Sequence, residues 1–370
     1  MNQALRWLGW LAGIILLMLV VAEFWAREQF SAENPWPIPL ELSLPGNLVE
    51  NHPQYGYQLK ANSSVFFSGP DGEFDVNYQT NEFGLRDSGM FSSGPKQPLV
   101  LVLGDAYVEG YGVMRDAAFT LELQRRLRFQ KGAKSYPRIL NAGTTGFGAY
   151  QSMLRGKSLI DELKPDLLIF VYTSLMPVAD YRYAEAKNGS LIPPTTSSRP
   201  SHESPFRLKR LFDDYLAAKR AQDNFTAGDP SSDILAAARS PEQGASLHAA
   251  TLKNLDEIAR YAKKLGVKFL LLQVPLPHQV AIDEWQTGRQ AYALEKKVYD
   301  PIELPLLEQW CTNTEQQCIL STTRFRELAA ERSSRIYFPT SYVPTEAGHL
   351  ALVELLIDPV RHALGIALPR

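Results

Sequence analysis

Cysteine and histidine are scarce in this chain, which has two cysteines and six histidines among its 370 residues. These counts exclude a disulfide-rich scaffold. No cluster of histidine, cysteine or acidic residues has the spacing of metal ligands, so neither a metal nor another cofactor is expected. The two cysteines, Cys311 and Cys318, lie close together. Outside the cytoplasm such a pair predicts a local disulfide, and two free, buried thiols are the alternative.

An excess of charge of one sign is also missing. The chain has 38 lysines and arginines against 40 aspartates and glutamates, a formal net charge of −2. A basic surface that would bind nucleic acid is therefore not expected. No internal repeat of a solenoid or propeller is apparent. Hydrophobic residues make up 45% of the chain and charged residues 21%, which is typical of a globular protein.

The amino-terminal segment contains a long run without charge. Residues 7–22 are uncharged and, extended to residue 26, reach roughly the twenty residues that cross a bilayer. Tryptophans flank the run, as they do at membrane interfaces. We expect an uncleaved transmembrane anchor at residues 1–26, with most of the chain outside the cytoplasm. A cleaved signal peptide is the alternative, but the run is long for a signal core and Phe24 makes a poor cleavage site after Ala26.

Composition divides the rest of the chain. Residues 27–45 are rich in proline and tryptophan and predict an extended linker. Residues 46–97 contain short strand-like pieces between turn residues and predict a small β appendage. Residues 98–370 predict the main domain, with an insertion at 182–246 that interrupts its regular pattern and contains a basic helix at 206–221.

The main domain alternates strand and helix patterns. Such alternation predicts an α/β fold with a parallel sheet and right-handed crossovers. The expected strands are 99–103, 138–143, 166–173, 267–274 and 335–338, and the main expected helices are 116–129, 149–163, 247–265 and 345–364, the last with Pro359 ending it early or kinking it.

The first expected strand ends in a tight turn of small residues, Gly104, Asp105 and Ala106. In α/β proteins, chemistry occurs just beyond the carboxyl ends of the strands. A hydrolase would present a nucleophile at this turn, but Ala106 has no reactive atom. Asp105 is expected to anchor the turn by accepting backbone hydrogen bonds.

Several blocks of the chain together resemble the SGNH (GDSL-type) hydrolases, a family of esterases and acyltransferases. The turn at 104–106 resembles the family's first block, which is normally Gly-Asp-Ser. Residues 141–148, 166–180 and 341–349 are similar to its later blocks, and residues 80–87 to a segment that precedes the core in membrane-anchored members. The resemblance implies a flavodoxin-like, three-layer core with about five parallel strands.

The resemblance also implies which residues would carry the chemistry. The family uses a serine nucleophile, a histidine base oriented by an aspartate, and an oxyanion hole that includes an asparagine amide. In this chain the matching positions hold Ala106 for the serine, Met176 for the asparagine, Ser341 for the aspartate and Val343 for the histidine. Pro177 follows in place of another aspartate. Only the oxyanion-hole glycine is retained, as Gly146 or alternatively Gly143.

Loss of all four side chains predicts a pseudoenzyme whose backbone frame is retained. The inherited cleft is expected to be lined by Asp105, Ala106, Tyr107, Glu109 and Gly146. His349 is expected to cap or pack, His278 to lie in a loop, and Ser174 to be a hydroxyl without an evident base.

The expected protein is a single-pass protein of the bacterial inner membrane with a periplasmic domain, a setting that the resemblance implies. Its expected partners are the bilayer, through residues 7–26, and an envelope glycan, an acyl group or other subunits of a membrane complex. Its expected role is binding or scaffolding in cell-envelope polysaccharide or lipid modification. An active esterase or O-acyltransferase with relocated catalytic residues is the alternative.

Overall fold

The computed structural model describes residues 2–29, 42, 44–69, 72–87, 97–129, 136–185, 206, 208–209, 212, 216, 241–291, 294–331 and 334–366. Its first element is helix α1 (Asn2–Gln29), where Leu16 and Leu17 are each 64% exposed. Among the described residues, no helix combines the length and the apolar character of a membrane span. The anchor expected at residues 1–26 stays a prediction. Most of the linker expected at 27–45 lies outside the described residues.

Two antiparallel hairpins precede the main domain. β1 (Val49–His52) pairs with β2 (Gly56–Leu59), and β3 (Ser64–Ser68) pairs with β4 (Asp75–Gln79). Apolar side chains on these hairpins, such as Tyr78, are buried in the same hydrophobic core as the α/β domain. The hairpins therefore pack on that domain and bring polar groups to its site.

A five-stranded parallel sheet forms the centre of the domain. In chain order its strands are β5 (Leu99–Gly104), β6 (Arg138–Gly143), β7 (Leu167–Tyr172), β8 (Lys268–Gln273) and β9 (Gln317–Leu320). They lie in the order β6-β5-β7-β8-β9. Counted from β5, this is the flavodoxin-like order 2-1-3-4-5. It confirms the predicted fold class.

Helices cover both faces of this sheet. After α1 they are α2 (Ala106–Glu109), α3 (Phe119–Arg128), α4 (Ala149–Leu163), α5 (Met176–Glu185), α6 (Pro241–Lys264), α7 (Gln286–Ala291), α8 (Glu303–Thr314), α9 (Thr322–Glu331) and α10 (Glu346–Leu364).

The apolar run of β5 serves two cores because successive strand residues point to opposite faces. Val100 and Val102 join the core that contains side chains of α3 and α10. Leu101 and Leu103 join the core that contains side chains of α4 and α6. All four are fully buried, so the strand needs apolar residues at every position.

The prediction of a fifth strand at residues 335–338 is wrong. Tyr337 makes only an isolated antiparallel bridge to Pro344, and the fifth strand of the sheet is β9. β9 is short and lies at the edge, where its residues are half-buried or exposed, and its apolar run is only three residues long, from Cys318 to Leu320. Cys318 in β9 forms a disulfide with Cys311 in α8.

The bounds of the insertion expected at 182–246 stay a prediction. Helix α5 ends at Glu185 and α6 begins at Pro241, and most of the residues between them lie outside the part of the chain that the structure describes. The basic helix expected at 206–221 falls mostly outside the described residues. At the carboxyl end, Pro359 lies inside α10 and does not end it.

Candidate functional site

The turn that the sequence singles out joins β5 to the short helix α2. Asp105 caps α2: its Oδ1 accepts the N–H of Tyr107 at 2.9 Å. Its Oδ2 accepts the hydroxyl of Thr173, at the end of β7, at 2.6 Å. Burial raises the pKa of Asp105 to about 6, and these hydrogen bonds act against that rise. The turn therefore lies between the first and third strands, the switch point where flavodoxin-like proteins bind ligands.

Ala106 begins α2, at the place of the expected nucleophile, and is only 3% exposed. The next residue, Tyr107, is fully buried and donates its hydroxyl to the carbonyl of Tyr342 at 2.7 Å. This bond connects the turn to the loop where the family has its aspartate and histidine. The turn therefore places the buried methyl group of Ala106 at the expected nucleophile position, and the tyrosine after it is buried and hydrogen-bonded.

The loop that would carry the aspartate and histidine is tied down by other groups. Ser341 is fully buried, and its hydroxyl and backbone N–H both donate to the carboxylate of Glu73, just before β4. The indole of Trp285 donates to the carbonyl of Thr340 at 2.9 Å. Val343 is fully buried and belongs to the hydrophobic core. The loop therefore supplies no base to the turn at Ala106.

Met176 is the first residue of α5 and is fully buried in the core that lies against α4 and α6. A thioether has no N–H to donate, so the side chain of Met176 cannot act as the amide donor expected at this position. Pro177 follows it inside the helix and donates no backbone hydrogen bond.

The glycine loop after β6 keeps its shape. Gly146 has φ +84° and is exposed. Gly143 serves packing, since a Cβ there would lie 2.2 Å from the backbone nitrogen of Glu109 in α2. The neighbouring Thr145 donates its N–H to Glu109 at 2.6 Å and accepts the hydroxyl of Tyr57 from β2 at 2.7 Å. Of the expected cleft residues, only Gly146 is exposed.

Glu109 lies beneath this loop and does not line an open cleft. Its side chain is fully buried, and burial raises its pKa, while the hydrogen bond from Thr145 acts against the rise. The positive guanidinium of Arg86 also lies close enough to favour the charged carboxylate. Glu109 therefore stabilises the loop from below.

The segment at residues 80–87 fixes the chain after α2, a role that the sequence alone does not assign. Asn81 Oδ1 accepts the N–H groups of Phe83 and Leu85, each at 3.0 Å, and shapes a tight turn. The buried Arg86 then donates to the carbonyls of Glu109, Gly110 and Val113. The buried guanidinium of Arg86 therefore holds the chain that follows α2 in place through these three carbonyls.

Two histidines, His349 and His278, are candidates to replace the expected base. Both are buried, and burial disfavours their charged form. His349 in α10 accepts the N–H of Phe119, the first residue of α3, at 3.3 Å. Burial, aided by the positive charge of Arg86, lowers its pKa to about 3. Burial, aided by Arg289, likewise lowers the pKa of His278 to about 3. Both pKa values are too low for an efficient general base near neutral pH.

Ser174 does have an acidic neighbour. Its hydroxyl donates to Glu303 at 2.6 Å and accepts the side-chain N–H of Gln279 at 3.1 Å. All three side chains are buried, with exposures of 1% or less. Burial raises the pKa of Glu303. The sequence did not reveal this pair, because 129 residues separate its members.

Comparisons with known proteins give matches at the level of structure only. No protein-family profile matches the chain, and no curated protein matches it. Esterase EstA from Pseudoalteromonas sp. is 10% identical, with a TM-score of 0.40 over 73% of this chain and 100% of the esterase. A catalytic mutant of an acetylxylan esterase from Geobacillus stearothermophilus is 13% identical, with a TM-score of 0.41 over 76% of this chain and 99% of that chain.

A third match is a protein from Desulfitobacterium hafniense described as lipolytic and of the G-D-S-L family. It is 8% identical, with a TM-score of 0.36 over 70% of this chain and 99% of that chain. The fold assignment depends on the topology itself: a parallel sheet in the order 2-1-3-4-5 with the Gly104-Asp105-Ala106 turn at its switch point. The chain therefore has a flavodoxin-like α/β fold, the fold that its resemblance to the SGNH hydrolases implies.

Proposed function

We propose that this chain is a non-catalytic SGNH-like protein that acts by binding or scaffolding in modification of the bacterial cell envelope. One observation carries the proposal. The positions of the serine, asparagine, aspartate and histidine hold Ala106, Met176, Ser341 and Val343, and each is 3% exposed or less. A nucleophile, its base and an amide donor are thus replaced together by groups that pack.

The way the site is filled favours docking of a partner over binding in the inherited cleft. Met176 and Val343 are each fully buried in a hydrophobic core, and Tyr107 connects the turn to the loop at Tyr342. A ligand would need an open, polar cleft. We therefore propose that the domain contacts other subunits of a membrane complex, with an envelope glycan or acyl group as a further ligand class.

The proposal includes a single-pass anchor in the inner membrane, formed by α1, with the domain in the periplasm. The uncharged run at residues 7–22 supports it. Exposed apolar side chains on α1, such as Leu17 and Val21, also support it, because a bilayer would cover them. Two fusions to the carboxyl end test it, one with alkaline phosphatase and one with green fluorescent protein. An active phosphatase fusion supports the proposal. An inactive phosphatase fusion together with a fluorescent green fluorescent protein fusion overturns it.

The absence of catalysis is tested on the full-length chain in a nonionic detergent. We expect no hydrolysis of p-nitrophenyl acetate above the rate of buffer, and we expect Ala106→Ser to restore none, because no base faces that position. Ser64→Ala, at an exposed position, is the matched control for background reaction of a surface hydroxyl. Saturable turnover that a substitution at the site abolishes would overturn the proposal.

The buried Ser174–Glu303 pair is the observation that favours the second candidate, an esterase or O-acyltransferase with relocated residues. A serine next to a carboxylate is a possible nucleophile and base. Ser174→Ala separates the two functions. Loss of a measurable acyl-transfer or esterase rate in this variant supports the enzyme, and the absence of any rate in both proteins supports the scaffold.

A further inference from the structure

A groove outside the inherited catalytic positions lies where the start of α4, α5 and the middle of α6 meet. Its volume is about 540 Å³, which is within the usual range of small-ligand sites. We call it the tyrosine groove. Its lining residues are Tyr150, Pro177, Asp180, Tyr181, Tyr183, Ala184, Leu247, Ala250, Thr251 and Asn254.

A single carboxylate, that of Asp180, lies in this groove. Its Oδ1 accepts the N–H of Tyr150 at 2.8 Å, and its Oδ2 accepts the side-chain amide of Asn254 at 3.2 Å. Gly148 permits this approach, since a Cβ there would lie 2.1 Å from Oδ1. A carboxylate has about four acceptor sites, so Oδ2 retains the capacity to accept a hydrogen bond from a ligand.

The groove contains no lysine, arginine or histidine among its described lining residues. Burial raises the pKa of Asp180 to about 6, and the hydrogen bonds from Tyr150 and Asn254 act against that rise. An anionic ligand would be repelled by this carboxylate. A neutral sugar or an acyl chain would further desolvate it without supplying a compensating charge.

Three tyrosine side chains also line the groove. Tyr150 and Tyr183 lie with ring centroids 5.3 Å apart, and Tyr183 is held by a hydrogen bond from its hydroxyl to the carbonyl of Gln54 at 2.8 Å. Tyr181 lines the groove beside them. Aromatic faces attract ammonium groups, and the attraction strengthens as the cation loses water.

We propose that the tyrosine groove binds the ammonium group of a primary or quaternary amine, with Asp180 as the counter-ion and the three tyrosines as the aromatic wall. Ala106, Met176, Ser341 and Val343 do not line this groove, although Pro177, which follows Met176, does. The proposed binding does not depend on whether the domain is a scaffold or an enzyme, so its test is independent of the proposed function.

The test uses the full-length chain in a nonionic detergent and two probes of the same shape. Choline carries a quaternary ammonium, and 3,3-dimethylbutan-1-ol replaces its nitrogen with carbon. Isothermal titration and saturation-transfer NMR measure the affinity of each probe. We expect choline to bind at least about tenfold more tightly than the alcohol, because only choline pairs with the carboxylate. Equal affinities, or no binding of choline, would overturn the proposal.

Two variants locate the site. Asp180→Asn keeps an acceptor oxygen for the N–H of Tyr150 but removes the charge, and we expect it to weaken choline binding about tenfold or more. Asp161→Asn is the matched control, since Asp161 lies on the same helix α4 as Tyr150 but accepts the hydroxyl of Tyr261 outside the groove. Tyr181→Leu keeps an apolar side chain without a ring and is expected to weaken choline more than the alcohol. Unchanged choline binding in Asp180→Asn would exclude this groove.

Discussion

The hydroxyl of Ser341 donates a hydrogen bond to the carboxylate of Glu73, which lies 268 residues earlier in the chain. Ser341 is the residue that the resemblance to the SGNH hydrolases predicts at the position of the triad aspartate. A carboxylate is therefore still present beside this loop, but it comes from the amino-terminal hairpins and holds the loop instead of orienting a histidine. The backbone N–H groups of Thr340 and Ser341 complete its hydrogen bonds.

Replacing Glu73 should loosen this loop. Glu73→Gln presents an amide N–H to donors that now meet a carboxylate, and we expect a loss of about 1–3 kcal/mol in the free energy of unfolding. Chemical denaturation followed by tryptophan fluorescence measures it. Glu50→Gln is the control, because Glu50 accepts a single exposed hydrogen bond from Gln58. Equal stability of the two variants would show that the contact contributes nothing.

Arg86 should contribute more than any surface arginine. Arg86→Met leaves the buried carbonyls of Glu109, Gly110 and Val113 without their donor, and we expect a loss of at least about 3 kcal/mol. Arg126→Met is the comparison, since the ion pair of Arg126 with Glu122 is partly exposed and is expected to contribute about 1 kcal/mol or less. The ratio of the two losses, measured by denaturation, checks the assigned role.

Substitution of two glycines distinguishes the stability cost of a steric clash from the cost of an unfavourable backbone conformation. Gly84 and Gly266 have similar φ values of +64° and +75°, so alanine at either position should cost roughly 1–2 kcal/mol of backbone strain. At Gly84 a Cβ would also lie 2.2 Å from the carbonyl oxygen of Leu59, whereas at Gly266 it would meet nothing within 4 Å. We expect Gly84→Ala to lose about 1–3 kcal/mol more than Gly266→Ala in thermal unfolding.

The stability of the domain should depend on the charge of His349. Its pKa is lowered to about 3 in the folded protein from 6.5, so the unfolded chain binds the proton more tightly. Stability is therefore complete above pH 6.5 and falls as pH decreases toward 3, with a slope of about 1.4 kcal/mol per pH unit from this group. His349→Gln keeps an acceptor for the N–H of Phe119 and should remove that part of the slope. Denaturation at pH 7 and pH 5 measures the difference, and an unchanged slope would contradict the assignment.

Much of the fold was predictable because buried parallel strands carry an unmistakable pattern. The strand at 138–143 and the helix at 149–163 agree with β6 and α4. The run at 99–103 predicted β5 because each of its residues needs an apolar side chain. An edge strand does not need an apolar side chain at every position. The sequence pattern therefore does not predict β9 and favours a strand at residues 335–338 instead.

The contacts of the site were harder to foresee. The sequence itself shows alanine at position 106 and valine at position 343, where the resemblance predicts reactive side chains. The groups that pack around these two residues come from elsewhere in the chain. Glu73 and Arg86 reach the site only through tertiary packing. No local pattern marks Glu73, and the segment at 80–87 marks Arg86 without indicating what its side chain contacts. Hydrogen bonds between side chains far apart in sequence follow from the folded geometry and have no periodic signal.

The disulfide between Cys311 and Cys318 lies at the open edge of the sheet, because Cys318 belongs to β9. An edge strand presents unpaired backbone groups that can recruit a strand from another molecule, and natural sheets limit this by keeping such strands short. β9 has four residues and is covalently tied to the helix beside it. We therefore expect the disulfide to limit self-association, and we expect its reduction to loosen β9 and to favour aggregation through β pairing at a point remote from the site.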